Sequence, residues 1–447
     1  MINLSPELYT LIFVVFILCG VLAGYHIGLV IGGVGVIIGY LTWGPCVIDV
    51  AYMRIRSMLL NYNMLAIPLF TYMGIILAHS GIADRLYGAL HMWLGGLKGG
   101  LALGTVLLGT LIAACLGVVQ ASVSMLTVVA LEPMLRRGYG KDLACGSICA
   151  GGTLGILIPP SIMLVVLGPA VAISVGRLFM SAIFPGLLLS ALYCSYIIIR
   201  SIVNPRIAPA APAEERQVSL ATKSTALFSS LIPPLTLILS VLGSIFFGIA
   251  TVYEAAGVGA ATSVLLAIAY RKFNWQLLIY SMRETLRITG FVMLITCCAY
   301  SIVGVFMWLG CGQVIENIIL AIPMGRWGAF SAIMITIFIL GMFIDWIAIV
   351  MIITPIVIPL TPSLGFDPLW FTMMICINLQ MAFMTPPFAS AIFVCKGTAQ
   401  PELEITTMDI IRGVIPFVLL IMVGLCICIL FPQILVWLPN QMIRASW

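Results

Sequence analysis

Apolar residues come in runs of about twenty, the length a helix needs to span a bilayer, divided by short polar, glycine- or proline-containing joints. Lipid cannot satisfy free backbone groups, so such runs are read as helices. The pattern predicts spans at 7–23, 25–43, 61–79, 140–168, 176–203, 229–248, 252–270, 288–309, 367–395 and 410–431. Two apolar segments, about 99–136 and 328–360, are longer and carry a polar or glycine-containing middle. They are read as re-entrant hairpins that stop near the bilayer centre, with pairs of ordinary spanning helices as the alternative. Segments 46–60, 83–97, 274–287 and 311–327 mix apolar residues with charge or Trp, which suits helices lying along the interface. The stretch Asn204 to Lys223, with Pro205, Pro209, Pro212, Glu214, Glu215 and Arg216, is the soluble-looking part. It is expected to be a flexible connection.

A repeat organises these elements. Gly138-Tyr139 recurs as Gly365-Phe366 and Pro159-Pro160 as Pro386-Pro387, both at a spacing of 227. Gly81 matches Gly310 and Gly99 matches Gly328, both at a spacing of 229. Each half then reads as five spans plus a hairpin. That count is odd, so the second copy is expected upside down relative to the first. The division is 1–203 for the first repeat, 204–228 for a cytoplasmic linker and 229–447 for the second repeat.

Composition narrows the class. Of the 447 residues, 62% are hydrophobic and 8% charged, with mean hydropathy +1.22. A soluble domain carries about 25% charged residues. These values exclude a soluble enzyme, a secreted disulfide scaffold, a disordered chain and a nucleic-acid binder. A transmembrane β-barrel is excluded because its strands alternate polar and apolar residues. The fold class is therefore an all-α polytopic membrane protein. The thirteen cysteines lie mostly in apolar runs without CxxC or zinc spacing, and His26, His79 and His91 do not cluster. Net charge is +5. With the N-terminus outside, fifteen of the Lys and Arg residues fall at cytoplasmic ends, and Arg54, Arg56, Arg177, Arg326 and Arg444 fall outside. No basic residue precedes Arg54, which suits a translocated N-terminus and excludes a basic signal-peptide start. Inverted repeats with interrupted helices are the mark of secondary transporters.

The candidate chemistry sits at the interruptions. The first hairpin tip reads Gly117-Val118-Val119-Gln120-Ala121-Ser122-Val123-Ser124. A helix that restarts there presents free N–H groups to an anion and, at the opposing end, free carbonyls to a cation. The alternative is that these small polar residues glue packed helices. The second tip reads Gly341-Met342-Phe343-Ile344-Asp345-Trp346. A carboxylate such as Asp345 at that depth is unfavourable by roughly 3 kcal/mol, so it calls for a cation, a proton, a donor or access to water. Thr153 to Ser161 and Ala382 to Pro387 each contain Pro-Pro, which removes two backbone donors and frees two carbonyls a turn earlier. Na⁺, a hard cation, takes oxygen ligands of this kind. Pro233-Pro234 lacks a partner and is read as structural. Glu254 is read as a helix cap or an ion-pair partner. No GxxxxGK[ST] loop, Ser/His/Asp set or HExxH occurs, so nucleotide-driven transport by that route and catalysis are not expected.

Together these residues resemble a known family. Ala66 to Phe70 with Met73-Gly74, Glu132-Pro133-Met134 before Gly138-Tyr139, Leu154 to Ser161, Phe184-Pro185-Gly186, Thr251 to Ala256 and Thr385-Pro386-Pro387 are similar to the large membrane (M) subunit of tripartite ATP-independent periplasmic (TRAP) transporters. The likeness covers nearly the whole chain. It departs at the first tip, where the family is often richer in Gly and Ser than Val119-Gln120-Ala121-Ser122. It implies a Na⁺-driven importer in the bacterial inner membrane, served by a periplasmic solute-binding (P) protein and a small four-helix membrane (Q) subunit. It further implies carboxylate- or sulfonate-bearing organic anions as cargo. The implied fold is similar to that of elevator-type divalent-anion/sodium symporters, with both hairpins in a transport domain and the outer helices in a scaffold.

On this reading Gln120, Ser122, Ser161, Trp346, Thr385 and Pro387 contact the substrate. Gly117, Ser122, Thr153, Gly155 and Ile158 hold one Na⁺, and Gly341, Asp345, Met384 and Thr385 hold a second. Both termini are expected to be periplasmic. Competing readings are a stand-alone sodium/dicarboxylate symporter, a channel, or an intramembrane enzyme for which Cys297, Cys298 and Ser301 lack a base nearby in sequence. No Arg lies near either tip in sequence.

Overall fold

The computed structural model describes residues 4–210 and 219–442, and every regular element among them is helical. Pro212, Glu214, Glu215, Arg216 and Arg444 lie outside the described residues. The chain opens with α1 (Pro6–Leu22), α2 (Ile27–Trp43) and amphipathic α3 (Cys46–Leu59). A 3₁₀ turn at Tyr62–Leu65 leads into α4 (Ala66–His79), and Gly81 in the left-handed region turns the chain into α5 (Ile82–Leu94). The first long apolar segment then folds as α6 (Gly100–Leu116) and α7 (Val119–Leu126), with a π-helical turn at Thr127–Leu131 before α8 (Glu132–Arg136). Next come α9 (Lys141–Thr153), α10 (Ile162–Ala170) and α11 (Val175–Val203).

The second half begins with α12 (Leu220–Phe246), α13 (Val252–Ala269) and α14 (Trp275–Trp308). It continues with α15 (Cys311–Leu320), then α16 (Gly325–Gly341) and α17 (Trp346–Val357), the two arms of the second hairpin. After these follow α18 (Pro368–Ala382), α19 (Ser390–Thr398), α20 (Thr407–Leu430) and α21 (Gln433–Gln441). Six helical stretches are long and apolar enough to cross a membrane among the described residues. They are Tyr62–His79, α11, α12, α13, α14 and α20. The hairpin arms α6 and α16 have 17 residues each, a rise of about 25 Å against a hydrocarbon core of about 30 Å. Both stop at a turn instead of running on as spans.

Several boundaries differ from the sequence pattern. The segment 274–287 is not a separate interfacial helix: it is continuous with the span after it in the 34-residue α14. The first Pro or Gly after Trp275 is Gly290, and a single Gly does not end a helix held by packing. The helix expected from 229 starts at Leu220, capped by Ser219. Residues just after Asn204 are docked, because Gly99 N donates to Ala208 O at 3.1 Å and Gly140 N to Ile207 O at 2.8 Å. Gly99 and Gly328 are not equivalent. Gly99 adopts φ +79 ahead of α6, whereas Gly328 lies inside α16, and Met324 and Gly325 make the corresponding left-handed turn. The other matched positions share local geometry: Gly81 and Gly310 have φ +72 and +76, Gly138 and Gly365 have φ +78 and +74, and both Pro-Pro bonds are cis. Glu254 completes a capping box with Thr251, so it is the helix cap.

Packing centres on α9, whose residues from Leu143 to Thr153 are all buried. Its small side chains let three neighbours approach at backbone distance. A Cβ on Gly413 of α20 would lie 2.1 Å from Asp142 O, one on Gly109 of α6 2.7 Å from Gly151 O, and one on Gly152 2.4 Å from a Val123 methyl on α7. On the other side of the molecule α2, α3 and α4 pack along α14, and α13 packs on α4 and α12. At the polar end of α9, Arg200 pairs with Asp142 and Tyr196, and Lys141 Nζ donates to Glu404 O at 2.8 Å.

Gly413→Ala should therefore lower the thermal stability of the detergent-purified chain by about 1–3 kcal/mol, the usual effect of overpacking. Gly257→Ala, whose Cβ would meet nothing within 4 Å, should melt at the same temperature or higher.

Candidate functional site

Each hairpin tip abuts one proline break. At the first tip Gly117 has φ +62, and a Cβ there would sit 3.1 Å from Pro160 O and 3.5 Å from Ile162 N. Glycine permits both the left-handed turn and this close approach. At the second tip Phe388 N donates to Met342 O at 2.9 Å, and a Cβ on Gly341 would lie 2.6 Å from Ala382 Cβ. Gly341, Asp345, Ala382, Phe383 and Phe388 border a void of about 10 Å³ between that tip and its break, close to the volume that admits one water molecule.

The carbonyls released by the prolines are partly claimed. Ser161 Oγ donates to Ile156 O at 2.5 Å, Ala391 N to Phe383 O at 3.1 Å, and Thr385 N to Ala382 O at 3.3 Å. A carbonyl oxygen has two lone pairs, so these bonds leave acceptor capacity for a cation. Gly155 lies in the 3₁₀ turn Leu154–Ile156, and Ile158 N donates to Leu154 O at 2.8 Å.

The side chains of the expected site divide into three groups. Gln120 is exposed, and with Trp346 and Asp345 it lines a cavity of about 820 Å³ that also reaches Gly117 and Ser124. Asp345 caps α17, accepting from Ile347 N at 3.2 Å, and also borders the small void. The hydroxyls of Ser122, Thr153 and Thr385 donate to their own helices, at Val118 O (3.0 Å), Ala150 O (3.0 Å) and Met381 O (2.8 Å). Thr153 also approaches Met384 Sδ at 3.9 Å, so the two broken helices meet there. Pro387 is exposed within the second break.

The large cavity contains residues that the tip motifs did not suggest. It is also lined from α4 and α14, by His79, Tyr280, Glu284, Arg287 and Phe291. Asp84 of α5 lines it as well. Arg287 thus shares a cavity with the tips although no arginine lies near either tip in sequence. The absence of a breaker between Trp275 and Thr289 was the signal that this segment continues inward.

Comparison with known proteins follows this geometry. The family model described as "Tripartite ATP-independent periplasmic transporter, DctM component" matches residues 10–434. The C4-dicarboxylate TRAP transporter large permease protein DctM of Pseudomonas aeruginosa is 32% identical over 381 residues, covering 85% of this chain and 87% of that protein. The ectoine TRAP transporter large permease protein TeaC of Halomonas elongata is 28% identical over 387 residues, covering 86% and 87%. Among solved structures, the YdaH transporter of Alcanivorax borkumensis shares the fold at TM-score 0.65 and 16% identity, over 96% of this chain and 99% of that one.

With Cys19, Cys46 and Cys426, the exposed cysteines, replaced by serine, a water-soluble maleimide should modify Gln120→Cys while Ser122→Cys stays unmodified over the same interval. Mass spectrometry of the labelled chain reads both.

Proposed function

The chain belongs to the DctM component family of tripartite ATP-independent periplasmic transporters, as a large permease subunit, and from that premise we propose that it imports a small organic anion, a carboxylate or a sulfonate, driven by Na⁺. The word tripartite implies two further proteins. We assign them as a small four-helix membrane subunit and a periplasmic binding protein that delivers the cargo, with the assembly in the bacterial inner membrane.

One observation carries this reading: two interrupted hairpins, each closed onto its own Pro-Pro break, border one cavity. Interrupted helices supply the two kinds of group that ion-coupled transport of an anion needs. Free N–H groups and helix N-termini face the anion. Carbonyl oxygens with spare lone pairs face the cation. The first Na⁺ is assigned to Gly117, Ser122, Thr153, Gly155 and Ile158, and the second to Gly341, Asp345, Met384 and Thr385. Substrate sits between the tips against Gln120, Ser122, Ser161, Trp346, Thr385 and Pro387. Coupling follows when bound Na⁺ favours the tip arrangement that accepts the anion, through its differential affinity for that state.

The two halves are assigned as inverted repeats, residues 1–203 and 229–447; the hairpins and broken spans of both form the transport unit, which moves against a scaffold of the outer helices in an elevator cycle, with both termini periplasmic. Support comes from the shared left-handed glycines and the matched Pro-Pro motifs of the halves, and from the positive-inside distribution of charge. Relatives of similar identity are named for a C4-dicarboxylate and for ectoine, so the cargo has to come from experiment.

Reconstituted with its binding protein and small subunit, the chain should accumulate a labelled organic acid only under an inward Na⁺ gradient. Asp345→Ala should flatten the dependence of rate on Na⁺. Uptake at full rate without the binding protein would favour a stand-alone symporter, and uptake indifferent to Na⁺ would sink the coupling assignment. Separately, single cysteines replacing Gly138 and Gly365 should react with an impermeant thiol reagent from opposite faces of the membrane, and labelling from the same face would remove the inverted repeat.

A further inference from the structure

We propose that Arg287 is the guanidinium that binds an acid group of the transported molecule, within the cavity that the hairpin tips also line. The proposal rests on the importer reading above and adds a recognition residue to it. Asp84, Glu284 and Asp345 line the cavity, so an anion entering it meets three carboxylates. Uncompensated like charge in one cavity opposes entry. Arg287 is the guanidinium in the lining, and His79 Nδ1 is engaged with Ile75 O at 2.9 Å.

Position comes next. Phe291 and Val292 lie on the same wall of the cavity as Arg287. The helix that carries Arg287 packs on α17, which starts at the second tip, and Gly117, Gln120 and Trp346 of the tips line the same cavity as Arg287, so one cavity presents the tip groups and the guanidinium to a small molecule.

Availability decides the rest. The Arg287 side chain is 80% exposed, and its ion pair with Glu284, three residues away on the same helix, is long at 3.8 Å. Exposed pairs of this kind stabilise little, whereas a carboxylate or sulfonate accepts two parallel bonds from guanidinium. Glu284 is thus an internal competitor that a substrate acid displaces. Such competition predicts opposite signs for neutralising the two partners.

The test uses the full-length chain, purified in Na⁺-containing detergent, with thermal-shift titrations of short mono- and dicarboxylates, isethionate and ectoine. Arg287→Gln should weaken the affinity of the acid that binds the wild type by about tenfold or more, the loss expected for a charge-assisted pair. Arg287→Lys should recover part of that loss. Glu284→Gln should tighten binding several-fold. Arg287→Gln at wild-type affinity, or Glu284→Gln that weakens binding, would overturn the proposal and leave the importer reading standing. If Arg287→Gln does not fold, Glu284→Gln decides alone: unchanged or weaker binding refutes the competition. Failure of every acid to bind the wild type would instead overturn the importer reading, and this proposal with it.

Discussion

The controlling constraint is that a backbone interrupted inside an apolar layer has no water to turn to. Four interruptions occur here, at Gly117-Val118, at Leu157 to Ser161, at Met342 to Asp345 and at Phe383 to Ala389. They are arranged in pairs, tip against break, and groups within and between the partners satisfy each other. Phe388 N serves Met342 O across the second pair, and Ser161 Oγ serves Ile156 O within the first break. What these bonds leave over is a set of partly used carbonyls and helix N-termini beside a cavity. The same shortage that makes such breaks unfavourable in lipid makes them polar sites inside the protein.

Holding short broken helices in place requires tight support, and α9 supplies it. With Gly146, Gly151 and Gly152 on different faces, it accepts α20, α6 and α7 at backbone contact. Dispersion between closely packed backbones does in lipid what the hydrophobic effect does in water. The cavity lining outside the tips follows a different rule. There α14 is one long helix, and it carries charged residues from its polar end inward until they share a cavity with the tips.

Much of this was legible in the residues. Runs of apolar length announced the helices, and the hairpins were marked by length plus a polar middle. The Pro-Pro motifs marked the breaks, because proline acts on its own helix within one turn. Asp345 was legible as a group in need of a partner, and Gly117 as a turn. The boundaries that moved, such as Leu220 and the continuous α14, are those where local propensity is weak and neighbours decide.

Pairing across the chain was not legible. Nothing local in Thr153 says that its hydroxyl approaches Met384, and nothing in Arg287 says that it lines one cavity with residues 116–121 and 345–347. The sequence alone determined the membrane class, the family likeness and the sites of interruption, because hydrophobicity and proline act over a turn or a span. Which tip meets which break, which hydroxyls turn back to their own helices, and which charges enter the cavity were decided by tertiary packing. Those contacts join positions hundreds of residues apart, and only the assembled shape brings them within bonding distance.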